Sequence, residues 1–343
     1  MPLTKEQVDK IRDELDNCKN PLFFFHDDPD GLCSFLLLYK YKGDGHGVIV
    51  KRATPTVDGQ FVSKVAEYNA DKVFILDIAV VDQEFVDSIN VPVIWIDHHQ
   101  PLELTNTKIF NPRIKNKDDG TPVTYMCHQV VQENIWIAAV GCIGDWYIPD
   151  FMDEFKKEYP GMVEMDSKDP GDILFETKLG YLVRIFSFVL KGKTSDVKKC
   201  FKVLTRVKEP DEILKQKSSQ GKFVYRKFLK INEGYTELIE AGKKCAKDDD
   251  ELLLYIYNEN KMSFSSDLSN ELLHRYPKKL IIVGRDKQNE VKMSLRYYKP
   301  VRDILKKALI GVEGYGGGHE CACGANVKKD DFKRFIESIR EQI

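Results

Sequence analysis

The sequence lacks any apolar stretch approaching the roughly 20 residues that a transmembrane helix needs. Its opening residues, 1–6, resemble a polar helix start rather than the apolar core of a secretory signal. The eight cysteines are scattered along the chain, which is typical of reduced thiols and not of a disulfide framework. We therefore expect a globular protein of the cytoplasm that does not enter a membrane.

The 343 residues exceed the size at which a single hydrophobic core usually stops growing, so the length favours two domains. The net charge is −2, but the charge is unevenly distributed. A basic segment at residues 190–247 carries 16 Lys and Arg against 7 Asp and Glu. This segment either attracts a polyanion and stacks bases on its aromatic side chains, or forms a solvated helix whose aromatics face the core. The aromatics in question are Phe201, Phe223, Tyr225, Phe228 and Tyr235.

The first part of the chain alternates short apolar strands with helices. The strands are predicted at residues 22–26, 47–52, 72–77 and 91–97. This alternation predicts an α/β fold in which a mostly parallel sheet is covered by helices on both faces. From about residue 121 to residue 245 the pattern is almost entirely helical.

A second, smaller α/β unit is predicted after the acidic run at residues 248–251. Its strands are predicted at residues 252–257, 280–284 and 290–297, and its helices at residues 266–275, 301–309 and 330–341. A glycine-dense loop is predicted from Gly311 to Gly318. The predicted division is a metal-binding catalytic domain (1–190), a helical Lys-rich linker (191–250) and a substrate-binding domain (251–343).

Metal-ligand residue types gather where the predicted strands end. His26, Asp28 and Asp30 alternate along a segment that we expect to be extended, so all three side chains can point to one side. Ligands bind beyond the carboxyl ends of the strands in such sheets. The other candidates end an apolar strand or follow an apolar helical run, and they are Asp77, Asp97, His98, His99 and Asp145.

Each of these residues has a structural alternative, because an aspartate can cap a helix and Pro-Asp-Gly can form a turn. The combination of these residues favours a metal site over separate structural roles. Asp28, Asp30, Asp77 and Asp145 carry four negative charges that would repel one another in a buried cleft, and two divalent cations would balance them. Mixed imidazole and carboxylate ligands suit Mn²⁺ or Mg²⁺.

These motifs resemble those of the DHH phosphoesterase superfamily. The segment His26-x-Asp28-x-Asp30-Gly31, the strand-end Asp77, the run Asp97-His98-His99 and Gly144-Asp145 match its four motifs in order. Gly316-Gly317-Gly318-His319 is similar to the GGGH signature of the smaller associated domain in the RecJ and nanoRNase branch. The stretch from His319 to Gly324 differs from relatives, which more often carry small or apolar residues that end in Ala-Ala-Gly.

The resemblance implies a role for each matching residue. One metal would be held by His26, Asp28 and Asp77, with Asp77 bridging to a second metal. Asp30, His98 and Asp145 would complete the second site. Asp97 would orient His98 or join the metal site, and His99 would face the substrate phosphate or act as general acid. The substrate-binding residues would be Arg296, Gly316, Gly317, Gly318 and His319, and Arg113 places a further cation near the expected cleft.

Two metals in one site activate water and neutralise the charge that builds on phosphorus, so the residues predict phosphodiester hydrolysis. The leading hypothesis is a manganese-dependent exonuclease that acts on single-stranded DNA or RNA, or on short oligonucleotides, from the 5′ end. One alternative is a phosphoesterase for cyclic dinucleotides, 3′-phosphoadenosine 5′-phosphate or polyphosphate. Another is a non-catalytic replication scaffold. Oligomeric state and association with replication or repair proteins stay open.

Overall fold

The computed structural model describes residues 2–51, 54–258 and 262–343. The chain divides into two compact units, Met1–Phe228 and Leu229–Ile343. None of the helices within the described ranges combines the length and the hydropathy of a membrane-crossing segment.

The first unit contains a five-stranded parallel sheet in the order β2-β1-β4-β6-β7, and a two-stranded parallel ladder of β3 and β5. Its strands are β1 (Pro21–His26), β2 (His46–Val50), β3 (Thr56–Val57), β4 (Lys72–Leu76), β5 (Val80–Val81), β6 (Val93–Ile96) and β7 (Thr107–Phe110).

Helices surround this sheet and then fill the rest of the first unit. They are α1 (Lys5–Asp16), α2 (Pro29–Lys42), α3 (Val62–Glu67), α4 (Gln83–Asp87), α5 (Val123–Val131), α6 (Ile135–Gly144), α7 (Met152–Glu158), α8 (Pro170–Glu176), α9 (Lys178–Val189), α10 (Thr194–Leu204), α11 (Pro210–Leu214) and α12 (Ser219–Lys243). Helix α12 contains the boundary between the two units.

The central strand β1 shows why this sheet forms. Residues 22–25 are fully buried, and side chains alternate between the two faces of the sheet. Phe24 packs into one apolar cluster with Ile75 and Trp95. On the other face, the ring of Phe25 stacks on Phe35 of helix α2 with centroids 4.6 Å apart. Burial on both faces holds the strand ends, and the residues that follow them, in fixed positions.

The second unit contains a mixed five-stranded sheet in the order β11-β12-β10-β9-β8, in which only the β8–β9 pair is parallel. Its elements are β8 (Leu252–Asn258), α13 (Ser265–Arg275), β9 (Leu280–Lys287), β10 (Glu290–Arg296), α14 (Arg302–Ala308), β11 (Gly314–Gly318), β12 (Ala322–Lys328) and α15 (Lys329–Arg340). Helices α14 and α15 pack their apolar side chains on one face of the sheet.

The predicted fold class is confirmed: a parallel sheet flanked by helices, a helical region, and a smaller α/β unit. The glycine-dense loop was a wrong prediction, because Gly314–Gly318 forms the edge strand β11. The expected extension through Asp30 is also wrong, since helix α2 begins at Pro29. Arg52, at the end of the predicted strand 47–52, lies outside the described residues.

Candidate metal centre

Four neighbouring strands of the first sheet end level with one another. Phe25 pairs with Leu76, Leu76 with Ile96, and Ile96 with Phe110. The next residue on each strand therefore falls in one row along the carboxyl edge of the sheet, where parallel α/β sheets bind ligands. These four residues are His26, Asp77, Asp97 and Asn111.

Asp77 occupies the middle of this site. The residue is 1% exposed, and its backbone has a left-handed φ of 56°. The Oδ2 atom lies 3.2 Å from Nδ1 of His26, and Oδ1 lies 3.4 Å from Nε2 of His98. The two oxygens of one buried carboxylate thus face two different histidines. Unusual backbone conformations of this kind concentrate at functional sites.

His26 faces two carboxylates through one nitrogen. Its Nδ1 lies 2.9 Å from Oδ2 of Asp28 in addition to its contact with Asp77. The other oxygen of Asp28 accepts a 2.9 Å hydrogen bond from the backbone of Gly31, so Asp28 also caps helix α2. One oxygen of the side chain therefore caps the helix, and the other faces His26.

Asp30 and Asp145 approach His98 from the other side of the site. Asp30 is 1% exposed and accepts hydrogen bonds from the backbone nitrogens of Val123 and Thr124, at 2.9 and 2.7 Å. These contacts place its carboxylate at the start of helix α5, where the helix dipole favours negative charge. Oδ2 of Asp145 lies 3.7 Å from Nδ1 of His98.

Two glycines bring the helices close enough to assemble these side chains. A Cβ on Gly31 would lie 2.7 Å from the backbone of His26, and a Cβ on Gly144 would lie 2.6 Å from Cβ of Pro29. Gly31 lets α2 start against the end of β1. Gly144 lets the end of α6, and therefore Asp145, approach the start of α2.

Asp97 contacts His99 and not His98. Its Oδ1 lies 2.8 Å from Nδ1 of His99, and its Oδ2 accepts a 2.8 Å hydrogen bond from the His99 backbone. Asn111 donates to Asp97 at 3.3 Å and to the carbonyl of His99 at 3.0 Å. The carboxylate is fully buried. It therefore fixes the orientation of His99, whose Nδ1 also lies 3.8 Å from Asp77.

The crowded carboxylates and histidines shift one another's pKa values. Burial lowers the pKa of His26, but Asp28 and Asp77 raise it more strongly, to about 12. In the same way, Asp77 overcomes the effect of burial and raises the pKa of His98 to about 11. Burial and the charge of Asp77 raise the pKa of Asp30 to about 7. Without bound cations, the raised pKa values therefore favour the protonated forms of His26, His98 and Asp30. These protons offset negative charges of the carboxylates that would otherwise repel one another.

The donor set fits divalent cations. Within the described residues, three groups have ligand atoms that all lie within 4.8 Å of one another: Asp77 with His98 and His99; His26 with Asp28 and Asp77; Asp30 with His98 and Asp145. Buried polar atoms are rarely left without a partner, yet Nδ1 of His98 is buried and makes no hydrogen bond. Asp77 and His98 each belong to two of these groups.

Comparison with known families matches two segments of the chain. Residues 22–143 match the N-terminal domain of the DHH family, and residues 252–343 match the DHHA1 domain. The chain belongs to the DHH superfamily. The matched DHH segment contains the strand-end residues His26 to His99, and the DHHA1 segment contains the glycine strand and His319. No match is found among curated protein sequences.

Solved structures show the same fold at low sequence identity. RecJ from Thermus thermophilus in complex with Mn²⁺ is 13% identical with a TM-score of 0.64, over 98% of this chain and 54% of that one. An exonuclease RecJ bound to manganese is 14% identical with a TM-score of 0.62, over 100% and 95% of the two chains. The pGpG-specific phosphodiesterase PggH from Vibrio cholerae is 14% identical with a TM-score of 0.51, over 94% and 98%. The chain thus spans about half of the Thermus RecJ.

The expected substrate-binding residues of the DHHA1 domain lie on β10, on β11 and just after β11. Gly316, Gly317, Gly318 and His319 are exposed, and a Cβ on Gly317 would meet nothing within 4 Å. Arg296 is half-buried and donates to Asn270 at 2.6 Å and to Ser266 at 2.9 Å. Burial lowers the pKa of its guanidinium. Much of its donor capacity is therefore used inside the domain.

Arg113 lies in a short 3-10 helix directly after Asn111 in the DHH domain. Its Nε donates to the carbonyl of Asp119 at 3.2 Å. Sequence reasoning noticed the Asn111-Pro112-Arg113 segment for its cation but missed Asn111, which holds both Asp97 and His99. Its position immediately after an apolar strand, like that of Asp77, was the available signal.

Proposed function

We propose that the protein is a phosphodiesterase that uses two divalent cations, with Mn²⁺ favoured over Mg²⁺, to hydrolyse single-stranded nucleic acid or short oligonucleotides. The observation that carries the proposal is the sharing of Asp77 and His98 between adjacent ligand groups. One cation would be held by His26, Asp28 and Asp77, and the other by Asp30, Asp77, His98 and Asp145. When bound, such ions lower the pKa of water and stabilise the charge on phosphorus.

His99 is suited to contact the phosphate or to protonate the leaving oxygen. Asp97 and Asn111 fix its ring, and the hydrogen bond at Nδ1 leaves Nε2 as the nitrogen directed away from Asp97. The side chain is 37% exposed, so a substrate oxygen can reach it. An imidazole held in one orientation donates a proton or hydrogen bond without first losing rotational freedom.

A group of lysines beside the site supports a substrate with several phosphates. Lys51 lies 3.7 Å from Asp27, which in turn lies 3.6 Å from Nε2 of His26. Burial lowers the pKa of Lys51, and the nearby charges of Lys191 and Lys227 lower it further. Lysines bind phosphates without reading sequence, and their number sets the salt dependence of binding.

The aromatic residues of the basic segment 190–247 support the proposed substrate less than the positive charge of that segment does. Phe201, Phe228 and Tyr235 are 1%, 0% and 2% exposed, so they belong to the core. Phe223 is 42% exposed. The structure therefore favours the structural alternative for the three buried rings, whereas Phe223 stays accessible to a base.

The DHHA1 domain would bind a phosphate or the terminal nucleotide through His319 and the backbone of β11. Without a Cβ, Gly317 permits close approach of a phosphate to the main chain. Attack from the 5′ end is proposed from the family resemblance alone.

A digestion series tests the proposal. Purified protein with Mn²⁺ is mixed with 5′-labelled and 3′-labelled single strands of DNA and RNA. The strands range from dinucleotides to about 30 nucleotides, and the longest ones exceed the length that a single binding domain covers. We expect stepwise shortening from the 5′ end that stops with chelator. Release of phosphate from 3′-phosphoadenosine 5′-phosphate or cleavage of a cyclic dinucleotide, with every linear strand intact, would replace this function by the small-molecule alternative.

A further inference from the structure

Trp146 occupies a backbone position that tryptophan rarely takes. It directly follows Asp145, at the end of helix α6, with a left-handed φ of 59°. Its backbone nitrogen donates to Ile143 at 3.1 Å, and that of Tyr147 donates to Cys142 at 2.9 Å. These two bonds form a Schellman motif, in which the residue at the position of Trp146 is usually glycine. For a bulky side chain, this conformation is strained.

Burial does not explain why the position carries tryptophan. The side chain of Trp146 is 42% exposed, whereas Trp95 and Trp136 are each 1% exposed. Its ring lies edge-on to Phe175 of helix α8, with centroids 6.1 Å apart. A residue that strains the backbone and gains only partial burial suggests a purpose outside the packing of the fold.

We propose that Trp146 is a stacking platform for the nucleobase next to the phosphate that is cleaved, which rests on the function proposed above. Its neighbour Asp145 belongs to a ligand group with Asp30 and His98, and adjacent Cα atoms lie only about 3.8 Å apart. The backbone of Trp146 therefore adjoins this ligand group, and the proposed stacking places its half-exposed ring against a base attached to a bound phosphate. Since every base has a π-face, the contact is independent of sequence.

The stacking role selects nucleotides over other phosphoesters. Lysines near the site attract any polyanion, including polyphosphate, because they respond to charge alone. A half-exposed indole adds affinity only for a ligand with a flat aromatic group. Trp146 is therefore a specificity-determining residue that favours a substrate with a nucleobase over polyphosphate.

Tryptophan fluorescence tests the proposal directly, because Trp146 is the exposed one among the three tryptophans, all of which lie in described ranges. The protein is titrated with a short thymidine oligonucleotide, with Ca²⁺ replacing Mn²⁺ as a hard oxygen-binding cation. The matched ligand has the same backbone and length but is abasic. We expect quenching by the thymidine strand, and roughly 5- to 100-fold weaker binding of the abasic strand, the range typical of one stacked base.

Two variants complete the test, with affinities measured by anisotropy of labelled strands. Trp146→Phe should keep most of the preference for the base-bearing strand. Trp146→Gly should abolish that preference while its melting temperature equals or exceeds that of the wild type, because glycine relieves the left-handed strain. Equal affinity of the wild type for both strands, or an unchanged preference in Trp146→Gly, would overturn the proposal.

The outcomes also separate this inference from the proposed function. A wild-type protein that cleaves strands with and without bases equally well retains the phosphodiesterase function and loses the stacking role. One that shows base-dependent quenching but cleaves no phosphodiester with Mn²⁺ retains the stacking role and loses the catalytic function.

Discussion

Asp97 holds His99 at two points: Oδ1 lies 2.8 Å from the imidazole Nδ1, and Oδ2 accepts from the His99 backbone at 2.8 Å. Asp97 belongs to none of the ligand groups found in the described residues, although it ends a strand beside Asp77. Two aspartates in the same row of strand ends thus have different surroundings. Asp77 faces two histidines across the site, and Asp97 fixes His99, the histidine that we propose faces the substrate.

The first prediction separates these roles. Asp97→Asn should lower kcat about 10- to 100-fold, the usual cost of removing a residue that orients a site. The amount of bound Mn²⁺, measured by elemental analysis after dialysis, should stay at the wild-type level. A loss of bound Mn²⁺ that parallels the loss of kcat would mean that Asp97 is itself a ligand.

The second prediction concerns the start of helix α2. Gly31→Ala would place a Cβ 2.7 Å from the backbone of His26. We expect a loss of about 1–3 kcal/mol in the free energy of unfolding, as in other overpacked cores, and weaker Mn²⁺ binding. Gly59→Ala is the matched control, since its Cβ would meet nothing within 4 Å. Equal stability of the two variants in urea denaturation would refute the proposed steric role.

The third prediction concerns protons. The pKa values of His26 and His98 are raised to about 12 and about 11, so both rings are protonated at neutral pH in the absence of metal. A cation must displace these protons, so Mn²⁺ binding should release protons and its affinity should rise with pH. Calorimetry in buffers of different ionisation enthalpy measures the release. A binding enthalpy that is the same in all buffers would contradict it.

The fourth prediction tests the DHHA1 domain. His319→Ala should raise KM for oligonucleotides about tenfold or more, because one charge-assisted phosphate contact contributes that order of affinity. Bound Mn²⁺ should not change. His46→Ala serves as the control, since His46 stacks on Tyr68, with ring centroids 4.4 Å apart. If His319→Ala lowers bound Mn²⁺ as much as it raises KM, the assignment to substrate binding is wrong.

The strand-end residues could be predicted from local sequence signals, because each signal depends on one element at a time. Asp77 and Asp145 each follow an apolar element, and the structure places both beside His98. The sequence predicts an extended segment through Asp30, but Pro29 at the first helical position starts helix α2 earlier. The expected alternation of side chains along an extended segment is therefore wrong at Asp30, although Asp30 still reaches the site.

Features that depend on pairing between distant segments could not be predicted in this way. The glycine run forms a strand because β12 pairs with it, from Gly314 opposite Val327 to Gly318 opposite Cys323. The choice of His99 as the partner of Asp97 depends on Asn111, which comes from the neighbouring strand β7. The left-handed conformation of Trp146 follows from how helix α6 ends, and the sequence offers no glycine there to reveal it.

The central claim is that Asp77 serves two metal ions at once, and equilibrium dialysis with Mn²⁺ tests it most directly. The wild-type chain should bind two ions, and Asp77→Asn should lose tight binding of both, because one carboxylate faces His26 with one oxygen and His98 with the other. A wild-type chain that saturates at a single ion, or an Asp77→Asn variant that binds two ions with wild-type affinity, would contradict the account.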